Sequence, residues 1–528
     1  MDQEPSVRHQ LAWWTEAVFH DWRNRPGPRY ARLAAAILEA IDRKTLREGT
    51  RVPAERTLAA AVGVSRGTVV ACFDHLTSAG VLTRRQGDGT YVAGRPSWTA
   101  TAGSVATALL RRIAAERETI DLSASSPGDL SHLPFPIPNG PVTSLDGHGL
   151  DPAGLPELRS AVARHLTEHQ CLPTSPDQLV ITNGAQEALW LLTRILPART
   201  VLTSCPTYPG LTSSIGGSRA MVVPVPADVA GPDPTAIERA GHARGPRAGG
   251  VPAGGVPAGG RSFPPEGGSP RAVAYLMPTG HNPTGAVMPL IRRQSLAALA
   301  DAGRLTVVED LALADLTLWP TADVAAQAAS PANAGPVPPP PLSALSSRVI
   351  AVGSASKLLW GGLRIGWIRV GDEPLRGALI GRKAALNLAT SVVSQSVTAQ
   401  LLASVTPDWL AAHRAALTRR RDYLVALIGE QLPAWRVTRP AAGLSLWAEL
   451  PLASADPFTH AAARHGVTIT PGSTACVCGG HGNYVRLSFA EQPGTLELAA
   501  ERLAAAWESH AQDLAAAPHH AAHPDEVA

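Results

Sequence analysis

The segment VIAVGSASKLLWGGLRIGWI, residues 349–368, decides the fold. It opens with an apolar run that predicts a buried strand, and a short Ser-rich turn then leads to Lys357. Arg364 follows seven residues later. A lysine in apolar surroundings is costly unless its amine is neutralised or covalently occupied, whereas a surface lysine needs neither. Because only three of the 46 basic residues are lysines, the surface interpretation is the weaker one.

An earlier segment has the same order of strand and turn. LVITNGAQEALWLL, residues 179–192, predicts a strand, a turn at Gly184 and a helix. The first N–H groups of that helix, from Ala185 and Gln186, would point above the sheet, where they can hold a phosphate. Many α/β turns look like this, so the segment alone is a weak signal.

Two further segments place polar side chains after predicted strands. HNPTG at 281–285 offers the side-chain amide of Asn282, although an ordinary Asn-Pro turn explains it equally well. RLTVVEDLAL at 304–313 is an apolar strand that ends on Glu309 and Asp310. A carboxylate at the carboxyl end of a central parallel strand points into the usual ligand crevice, but a solvated acidic loop is the alternative.

From Ile120 onward, short apolar strands alternate with Ala- and Leu-rich helical stretches, which predicts an α/β domain with a mostly parallel central sheet. Two Gly/Pro/Ala tracts inside it are too poor in large side chains to form a core, and we expect flexible surface insertions there. The predicted organisation is an N-terminal domain at 26–95, a linker at 96–120, and a large domain at 121–512 with insertions near 241–271 and 320–343.

Composition excludes several protein classes. The chain has 528 residues, 45% hydrophobic and 17% charged, which is incompatible with a disordered or fibrous protein. The first ten residues, MDQEPSVRHQ, lack the features of a secretory signal, and no apolar run is long enough to span a bilayer. We therefore expect a cytoplasmic protein that does not enter a membrane.

The cysteines predict neither disulfides nor a metal centre. Five are present, an odd number scattered along the chain, and Cys476 and Cys478 are too close for the usual zinc spacing. We expect reduced thiols and no metal at all five: Cys72, Cys171, Cys205, Cys476 and Cys478.

Residues 26–95 form a basic block with 11 Lys/Arg against six Asp/Glu, although the whole chain carries only +3. PAERTLAAAVGVSRGTVVACFDHLTSAGVL, residues 53–82, predicts two helices joined by a tight turn at Gly63, with Ser65 capping the second. VLTRR and TYVAG flank QGDG, which predicts a two-stranded wing. These elements make a winged helix-turn-helix.

The exposed start of the second helix is the end that enters the major groove in such motifs, and wing arginines can hold backbone phosphates. A three-helix protein-interaction module with solvated arginines is the alternative. The predicted DNA-binding residues are Arg56, Ser65, Arg66, Thr68, Arg84, Arg85, Gly87 and Gly89.

The basic block resembles the DNA-binding domain of GntR-type bacterial repressors over about seventy residues. The segments that carry this resemblance are, in order, PAERTLA, GVSRGTV and GDGTYV. The four segments of the larger domain resemble the fold-type I aminotransferases that use pyridoxal 5′-phosphate, over roughly residues 120–510.

The second resemblance implies a role for each matching residue. Lys357 would bond covalently to the cofactor, Asp310 would pair with the pyridinium nitrogen, and Asn282 would bind the phenolic oxygen. Tyr208, in SCPTYPG, would stack on the ring, and Arg486, in YVRLSFA, would bind an amino acid's α-carboxylate. The phosphate would be held by Ser354, Arg364 and the amides of Ala185 and Gln186.

Two positions depart from the aminotransferase pattern. Ala312 and Leu313 stand where the family usually has a tyrosine shortly after the aspartate. Gly149, in HGLDPAG, replaces a tyrosine that reaches the partner subunit's phosphate. The strongest charge contacts to the cofactor remain, so the departures bear on efficient transamination rather than on cofactor binding.

A winged helix-turn-helix followed by an aminotransferase-like domain resembles the MocR subgroup of GntR regulators. This implies a homodimeric, cofactor-dependent transcriptional regulator that binds operator DNA and senses PLP, an amino acid or an amine such as γ-aminobutyrate. An active aminotransferase with an accessory DNA-binding domain is the second hypothesis. A repressor whose large domain only dimerises, without cofactor, is the third.

Overall fold

The structure is a computed structural model. It describes residues 11–24, 28–42, 45–46, 49–78, 81–85, 89–92, 119–126, 130–135, 148–216, 218, 220–242, 272–318 and 338–516. Several predicted features lie outside these residues: Gly87, residues 96–118 of the linker, and residues 243–271 and 320–337 of the two insertions.

The chain divides into two compact units, one of Met1–Glu118 with Ala505–Ala528 and the other of Thr119–Ala504. The division after Glu118 falls inside the predicted linker.

The N-terminal unit begins with a π-helical turn, Trp14–Val18, and a 3₁₀ turn, Trp22–Asn24. These are followed by α1 (Arg29–Asp42), β1 (Arg51–Val52), α2 (Glu55–Val62), α3 (Arg66–Ser78), β2 (Leu82–Arg85) and β3 (Gly89–Val92). The predicted winged helix-turn-helix is therefore present. Strand β3 pairs antiparallel with both β2 and β1, so the described wing is a three-stranded sheet rather than the predicted two-stranded one.

The core of this unit starts earlier in the chain than the predicted domain. Trp14, Phe19 and Trp22 are buried in the same cluster as Ile37 of α1 and Phe73 of α3. The segment LAWWTEAVFHDW, residues 11–22, is rich in apolar and aromatic side chains, and the predicted domain start at residue 26 left it out.

In the large unit, the described strands are β4 (Ile120–Asp121), β5 (Leu179–Thr182), β6 (Thr200–Ser204), β7 (Met221–Val225), β8 (Ala227–Asp228), β9 (Gly231–Pro232), β10 (Ala272–Leu276), β11 (Thr306–Asp310), β12 (Ile350–Ser354), β13 (Gly366–Arg369), β14 (Arg436–Thr438), β15 (Ser445–Glu449), β16 (Val467–Thr468), β17 (Thr470–Pro471) and β18 (Tyr484–Ser488).

The described α-helices of the large unit are α4 (Pro156–His169), α5 (Ala185–Ile195), α6 (Pro209–Ile215), α7 (Pro234–His242), α8 (Leu290–Asp301), α9 (Leu342–Leu345), α10 (Ala355–Leu358), α11 (Glu373–Asn387), α12 (Val392–Ala403), α13 (Pro407–Gln431), α14 (Asp456–Arg464) and α15 (Pro493–Ala516). Helix α15 begins in the large unit and continues past the end of that unit at Ala504 and past the predicted domain end at residue 512.

Within the described residues, the central sheet has seven strands in the order β5-β13-β12-β11-β10-β6-β7. Its pairs are parallel from β12 to β7, and β13 runs antiparallel to both of its neighbours. Strands β10 and β12 are buried along their whole length, as is usual for a sheet covered on both faces. The predicted mostly parallel α/β sheet is confirmed.

This topology positions a ligand site. Strands β5, β6, β10, β11 and β12 all point the same way, so their carboxyl ends meet at one edge of the sheet. The predicted cofactor residues follow these carboxyl ends, except Arg364, which directly precedes the antiparallel β13 and therefore lies at the same edge. Such an edge is where open α/β sheets bind ligands.

The last residues of the predicted 320–343 insertion differ from expectation. Leu342 and Ser343 begin helix α9 and are buried, at 0% and 3% exposure, instead of lying on the surface. Their backbone amides bind a buried carboxylate of the central sheet, which fixes them in the core.

A second sheet is antiparallel, in the order β14-β15-β18-β17, and it carries Arg486 on β18. Among the residues described, no single helix is long and apolar enough to cross a membrane. Two consecutive helices, Glu55–Val62 and Arg66–Thr77, are long and apolar enough for a membrane span only when they are counted together, and the chain bends by 116° between them.

Candidate cofactor site and nucleic-acid interface

Lys357 is half-buried at the edge of the central sheet. It lies in the short helix α10, which starts directly after β12. Its Nζ donates a hydrogen bond to the backbone oxygen of Ser125, 2.6 Å away. The predicted surface alternative for this lysine is therefore wrong.

The two carboxylates at the end of β11 serve different purposes, because successive side chains of a strand point to opposite faces. Glu309 is fully buried and accepts hydrogen bonds from the amides of Leu342 and Ser343 and from the Ser343 hydroxyl, at 2.7 to 2.8 Å. It therefore holds the start of α9 in place. The solvated-loop alternative does not apply to either carboxylate, since Asp310 is 2% exposed.

Asp310 faces the candidate site. Its carboxylate accepts hydrogen bonds from the Tyr275 hydroxyl at 2.6 Å and from the Ala312 amide at 2.9 Å. Burial raises the pKa of Asp310, while these two hydrogen bonds and the charge of Lys357 oppose that rise. A cationic ligand group beside Asp310 would keep it ionised.

Tyr208 precedes helix α6 and is held by Gln186 of α5. The Tyr208 hydroxyl donates to Gln186 Oε1 at 3.0 Å, and Gln186 Nε2 donates to the Gly210 carbonyl at 2.7 Å. The side chain of Gln186 therefore fixes the aromatic ring, while its backbone amide lies at the start of α5.

Four predicted residues come within electrostatic range of one another. Burial raises the pKa of Tyr208 to about 12, the negative charge of Asp310 adds to the rise, and the charges of Arg486 and Arg364 oppose it. The phenol is thus neutral at physiological pH. These residues come from four separate stretches of sequence, and the fold brings them together.

Arg486 and Asn282 are directly connected. The Arg486 Nη1 donates to Asn282 Oδ1 at 3.0 Å, and its Nη2 donates to the Ser123 carbonyl at 2.7 Å and to Thr470 Oγ1 at 3.3 Å. Because Asn282 accepts through its oxygen, its amide nitrogen is oriented as a donor toward the opposite side.

A cradle of donors surrounds the start of α5. Gly184 caps this helix with φ of 83°, and the first N–H groups of a helix have no acceptor within it. Arg364 Nη2 lies beside the turn and donates to the Asn183 carbonyl at 3.1 Å. The positive φ of Gly184 favours glycine, and a Cβ there would come within 2.9 Å of Arg364 Nη2 and displace the end of that side chain.

Two serines line the same region from the β12 side. The Ser354 hydroxyl accepts from the Ser356 amide at 3.2 Å and thereby caps helix α10, and it also donates to the Ile365 carbonyl. The Ser356 hydroxyl is buried and has no hydrogen-bond partner among the described residues. A buried hydroxyl of this kind is suited to a ligand oxygen.

The helix-turn-helix of the N-terminal unit forms as its sequence predicts. Helix α2 ends at Gly63, whose φ of 70° permits the turn. The Ser65 hydroxyl then accepts from the Thr68 amide at 3.2 Å and is 2.9 Å from the Thr68 hydroxyl. Ser65 is thus the N-cap of α3, the helix placed to read the major groove.

Two predicted DNA contacts share one acidic partner. Arg66 at the start of α3 and Arg84 on the wing both pair with Glu55, at 3.3 and 3.2 Å, and Arg84 also pairs with Asp74 at 2.8 Å. Arg66 remains 57% exposed. Exposed pairs of this kind contribute less than about 1 kcal/mol, so phosphates or bases can compete for these arginines.

The other predicted DNA-binding positions are on the same unit. Arg56 is exposed on α2, and Gly89 is exposed at the start of β3. Arg85 ends β2, but its side chain is outside the described residues.

Comparison with known families decides the assignment of the large unit. The family model described as aminotransferase class I and II matches residues 147–503, which is more than half of the chain. The chain belongs to the aminotransferase class I and II family. A second model, for bacterial regulatory proteins of the gntR family, matches residues 29–92.

Relatives combine these two parts. The chain is 27% identical over 494 residues to the uncharacterized HTH-type transcriptional regulator YdfD of Bacillus subtilis, covering 88% of this chain and 92% of the relative. It is 27% identical over 470 residues to the probable rhizopine catabolism regulatory protein MocR of Rhizobium meliloti, covering 84% and 85%. The predicted MocR-type fusion is confirmed.

Solved structures agree on the fold. An archaeal alanine:glyoxylate aminotransferase matches with a TM-score of 0.61 and 25% identity, covering 76% of this chain and 93% of its own. The predicted fold-type I architecture is thus confirmed.

The aminotransferase site of this chain fits pyridoxal 5′-phosphate. The N–H groups at the start of α5, the Arg364 guanidinium and the unpartnered Ser356 hydroxyl are donors for a phosphate. Gly366 keeps the cradle open, because a Cβ there would lie 2.7 Å from the Ala185 nitrogen. The buried Asp310 suits a protonated ring nitrogen, and Lys357 suits an aldehyde. The family and the donor set together indicate the predicted cofactor.

Sequence reasoning missed Tyr275, which binds Asp310 in the aminotransferase site, and it also missed a buried lysine elsewhere in the large unit. Tyr275, on β10, was read only as part of an apolar strand, yet its hydroxyl binds Asp310. Lys383 is fully buried and donates to Asn387 at 3.3 Å, and burial lowers its pKa. The rarity of lysine could have drawn attention to Lys383 as it did to Lys357.

All five cysteines are free, and three of them lie close together in the fold. Cys205, Cys476 and Cys478 are distant or closely spaced in sequence, but their sulfur atoms come together beside His481. Spacing along the chain does not predict this proximity, because Cys205 and Cys476 are 271 residues apart in sequence.

Proposed function

We propose that the protein is a PLP-dependent transcriptional regulator that binds operator DNA and senses a small amine, an amino acid or PLP itself. The main support for this proposal is that one chain contains both a gntR-type helix-turn-helix and an aminotransferase site whose hydrogen-bond donors suit the cofactor. This arrangement implies that the protein acts in the cytoplasm, where its DNA and the cofactor are found.

Each residue of the aminotransferase site has a proposed role. Lys357 holds the cofactor covalently, and Asp310, fixed by Tyr275, pairs with the ring nitrogen. Asn282 donates to the phenolic oxygen, since Arg486 already occupies its carbonyl oxygen. Tyr208 stacks on the ring, held in place by Gln186.

The phosphate group is held by the amides of Ala185 and Gln186 and by Arg364, to which we add Ser356. Ser354 was expected to bind the phosphate directly, but its hydroxyl caps helix α10 in the described geometry. We therefore propose that Ser354 mainly positions Ser356, which supplies the buried hydroxyl.

Effector recognition is proposed to start at Arg486. The cofactor, when bound, supplies an electrophilic carbon for primary amines. A carboxylate on such an amine competes for the Arg486 guanidinium, whose hydrogen bonds run to Ser123, Asn282 and Thr470. Exchange of these partners would favour a different arrangement of the connected segments, and that bias is the signal passed to DNA binding.

The second candidate function is an active aminotransferase with an accessory DNA-binding domain, which the presence of Lys357, Asp310 and Arg486 favours. Ala312 and Gly149, where the family has tyrosines, argue against efficient turnover. Footprinting of the wild-type protein on DNA upstream of its own gene, with amino-donor turnover measured in parallel, separates the two functions. A sequence-preferring footprint with negligible turnover supports the regulator, and the reverse pattern supports the enzyme.

The active form is proposed to be a homodimer built through the large unit. Large apolar side chains are exposed on segments of that unit that lie beside one another. Gly149 and Val392 show this proximity, since a Cβ built at Gly149 would lie 3.0 Å from the Val392 side chain. Contiguous exposed apolar surface of this kind typically marks an interface. The exposed side chains are Leu150 (61%), Leu386 (44%), Leu388 (60%) and Val393 (52%).

We expect the double substitution Leu388→Glu and Val393→Glu to convert the dimer to a monomer, because it places charges in a surface that would otherwise be buried. Light scattering with PLP present measures the mass. Val229→Glu, at a position that is 92% exposed elsewhere on the large unit, is the matched control and should remain dimeric. A wild-type protein that is monomeric at micromolar concentration would refute the proposed dimer.

A further inference from the structure

Four potential metal ligands converge beside the cofactor site. They are Cys205, Cys476, Cys478 and His481, and their ligand atoms all lie within 4.8 Å of one another. No residue of this group has a role in the proposed cofactor or DNA chemistry, so the convergence needs its own explanation.

Four of the distances between these ligand atoms are close to those of tetrahedral coordination. Cys205 Sγ is 3.5 Å from Cys476 Sγ, which is 3.7 Å from Cys478 Sγ. His481 Nδ1 is 3.3 Å from Cys476 Sγ and 3.7 Å from Cys205 Sγ. Around a tetrahedral zinc ion with ordinary bond lengths, sulfur atoms lie about 3.8 Å apart and a sulfur and a nitrogen about 3.6 Å apart.

We propose that these four side chains bind a zinc ion. Three thiolates and one imidazole in a tetrahedral arrangement are a common structural zinc set, and soft sulfur ligands disfavour magnesium, calcium and manganese. All four positions would be taken by protein, so the ion would be structural rather than catalytic. The thiol protons are released to solvent as the ion binds.

A disulfide between Cys205 and Cys476 is the competing explanation. Their sulfurs are close enough to react, but a disulfide needs only two cysteines. It leaves Cys478 and His481 without a reason to converge. The Val477 amide also donates to Cys205 Sγ at 3.3 Å, a contact that stabilises a metal-bound thiolate.

The ion would connect two parts of the cofactor site. Cys205 is three residues before Tyr208, and His481 is five residues before Arg486. The two segments already touch through a hydrogen bond from the Thr207 amide to the Ala475 carbonyl at 2.8 Å. Zinc would therefore fix the loop that carries the aromatic ring against the strand that carries the carboxylate-binding arginine.

The test uses the full-length protein, purified under reducing conditions without chelators or a metal-affinity tag. Elemental analysis should find about one zinc ion per chain, and X-ray absorption at the zinc edge should fit three sulfurs at about 2.3 Å and one nitrogen at about 2.0 Å. Zinc should be lost in Cys478→Ser, whose side chain is exposed, and retained in Cys171→Ser, an exposed cysteine outside the group.

Two results would overturn the proposal. One is wild-type protein that contains no zinc after growth and refolding with added zinc chloride. The other is a Cys205–Cys476 disulfide, found by peptide mapping, as the prevailing state of a second preparation purified without reductant. Because Cys171→Ser and Cys478→Ser change the same chemical group, equal zinc loss in both would also contradict the assignment.

Discussion

Borohydride reduction of the purified protein should place a phosphopyridoxyl group on Lys357, and Lys357→Ala should remove this labelling completely. The Lys357 Nζ is fixed by the Ser125 carbonyl at the edge of the sheet where Asp310 also lies. The yellow absorbance that the lysine-bound cofactor gives should disappear in the same variant. Peptide mapping after reduction identifies the labelled residue.

Only two other lysines compete, so this assignment is sharply testable. Lys383 is buried and hydrogen-bonded to Asn387, and we expect no label there. Lys44 belongs to the DNA-binding block. Labelling at either residue, or a colourless wild-type protein after incubation with PLP, would refute the proposed role of Lys357.

Arg66→Ala should cost about 1 to 3 kcal/mol of operator binding and relax base preference at one position, because Arg66 lies at the start of the recognition helix. Arg84→Ala should weaken all sequences about equally and reduce the slope of affinity against salt by about 1, since a phosphate contact carries no sequence information. Fluorescence anisotropy with operator and scrambled duplexes at several salt concentrations measures both effects.

Arg304→Ala is the matched control for these variants. It removes an exposed arginine paired with Glu238 in the large unit, and it should leave DNA affinity unchanged. Equal losses for Arg66→Ala on operator and scrambled duplexes would show that Arg66 contacts phosphate rather than a base.

Much of the cofactor site could be predicted because local sequence determines it. Asp310 and Lys357 each end an apolar run, and parallel strands place their carboxyl ends at one edge. The order of such segments is also what makes the family resemblance detectable. The same holds for Ser65, whose capping role depends on residues three positions away.

Contacts between distant segments could not be predicted in this way. Glu55 joins Arg66 to Arg84 through two ion pairs, and no local pattern marks an acidic residue for that role. The group of Cys205 and His481 depends on two loops 276 residues apart. In each case the side chain is ordinary in its own segment and acquires its partner only in the folded chain.

The most direct test of the regulator proposal is the affinity for upstream DNA with and without PLP, measured for wild type and for Lys357→Ala. Wild-type affinity should change about fivefold or more when PLP is added, within the ordinary range of coupling between sites. Lys357→Ala should bind the same DNA but show no change, because recognition and sensing lie in different units. The contrary result has two parts. The wild-type protein would bind this DNA with an affinity that neither PLP nor added amines change, and it would turn over amino donors at ordinary enzyme rates. Together these observations would contradict the proposal.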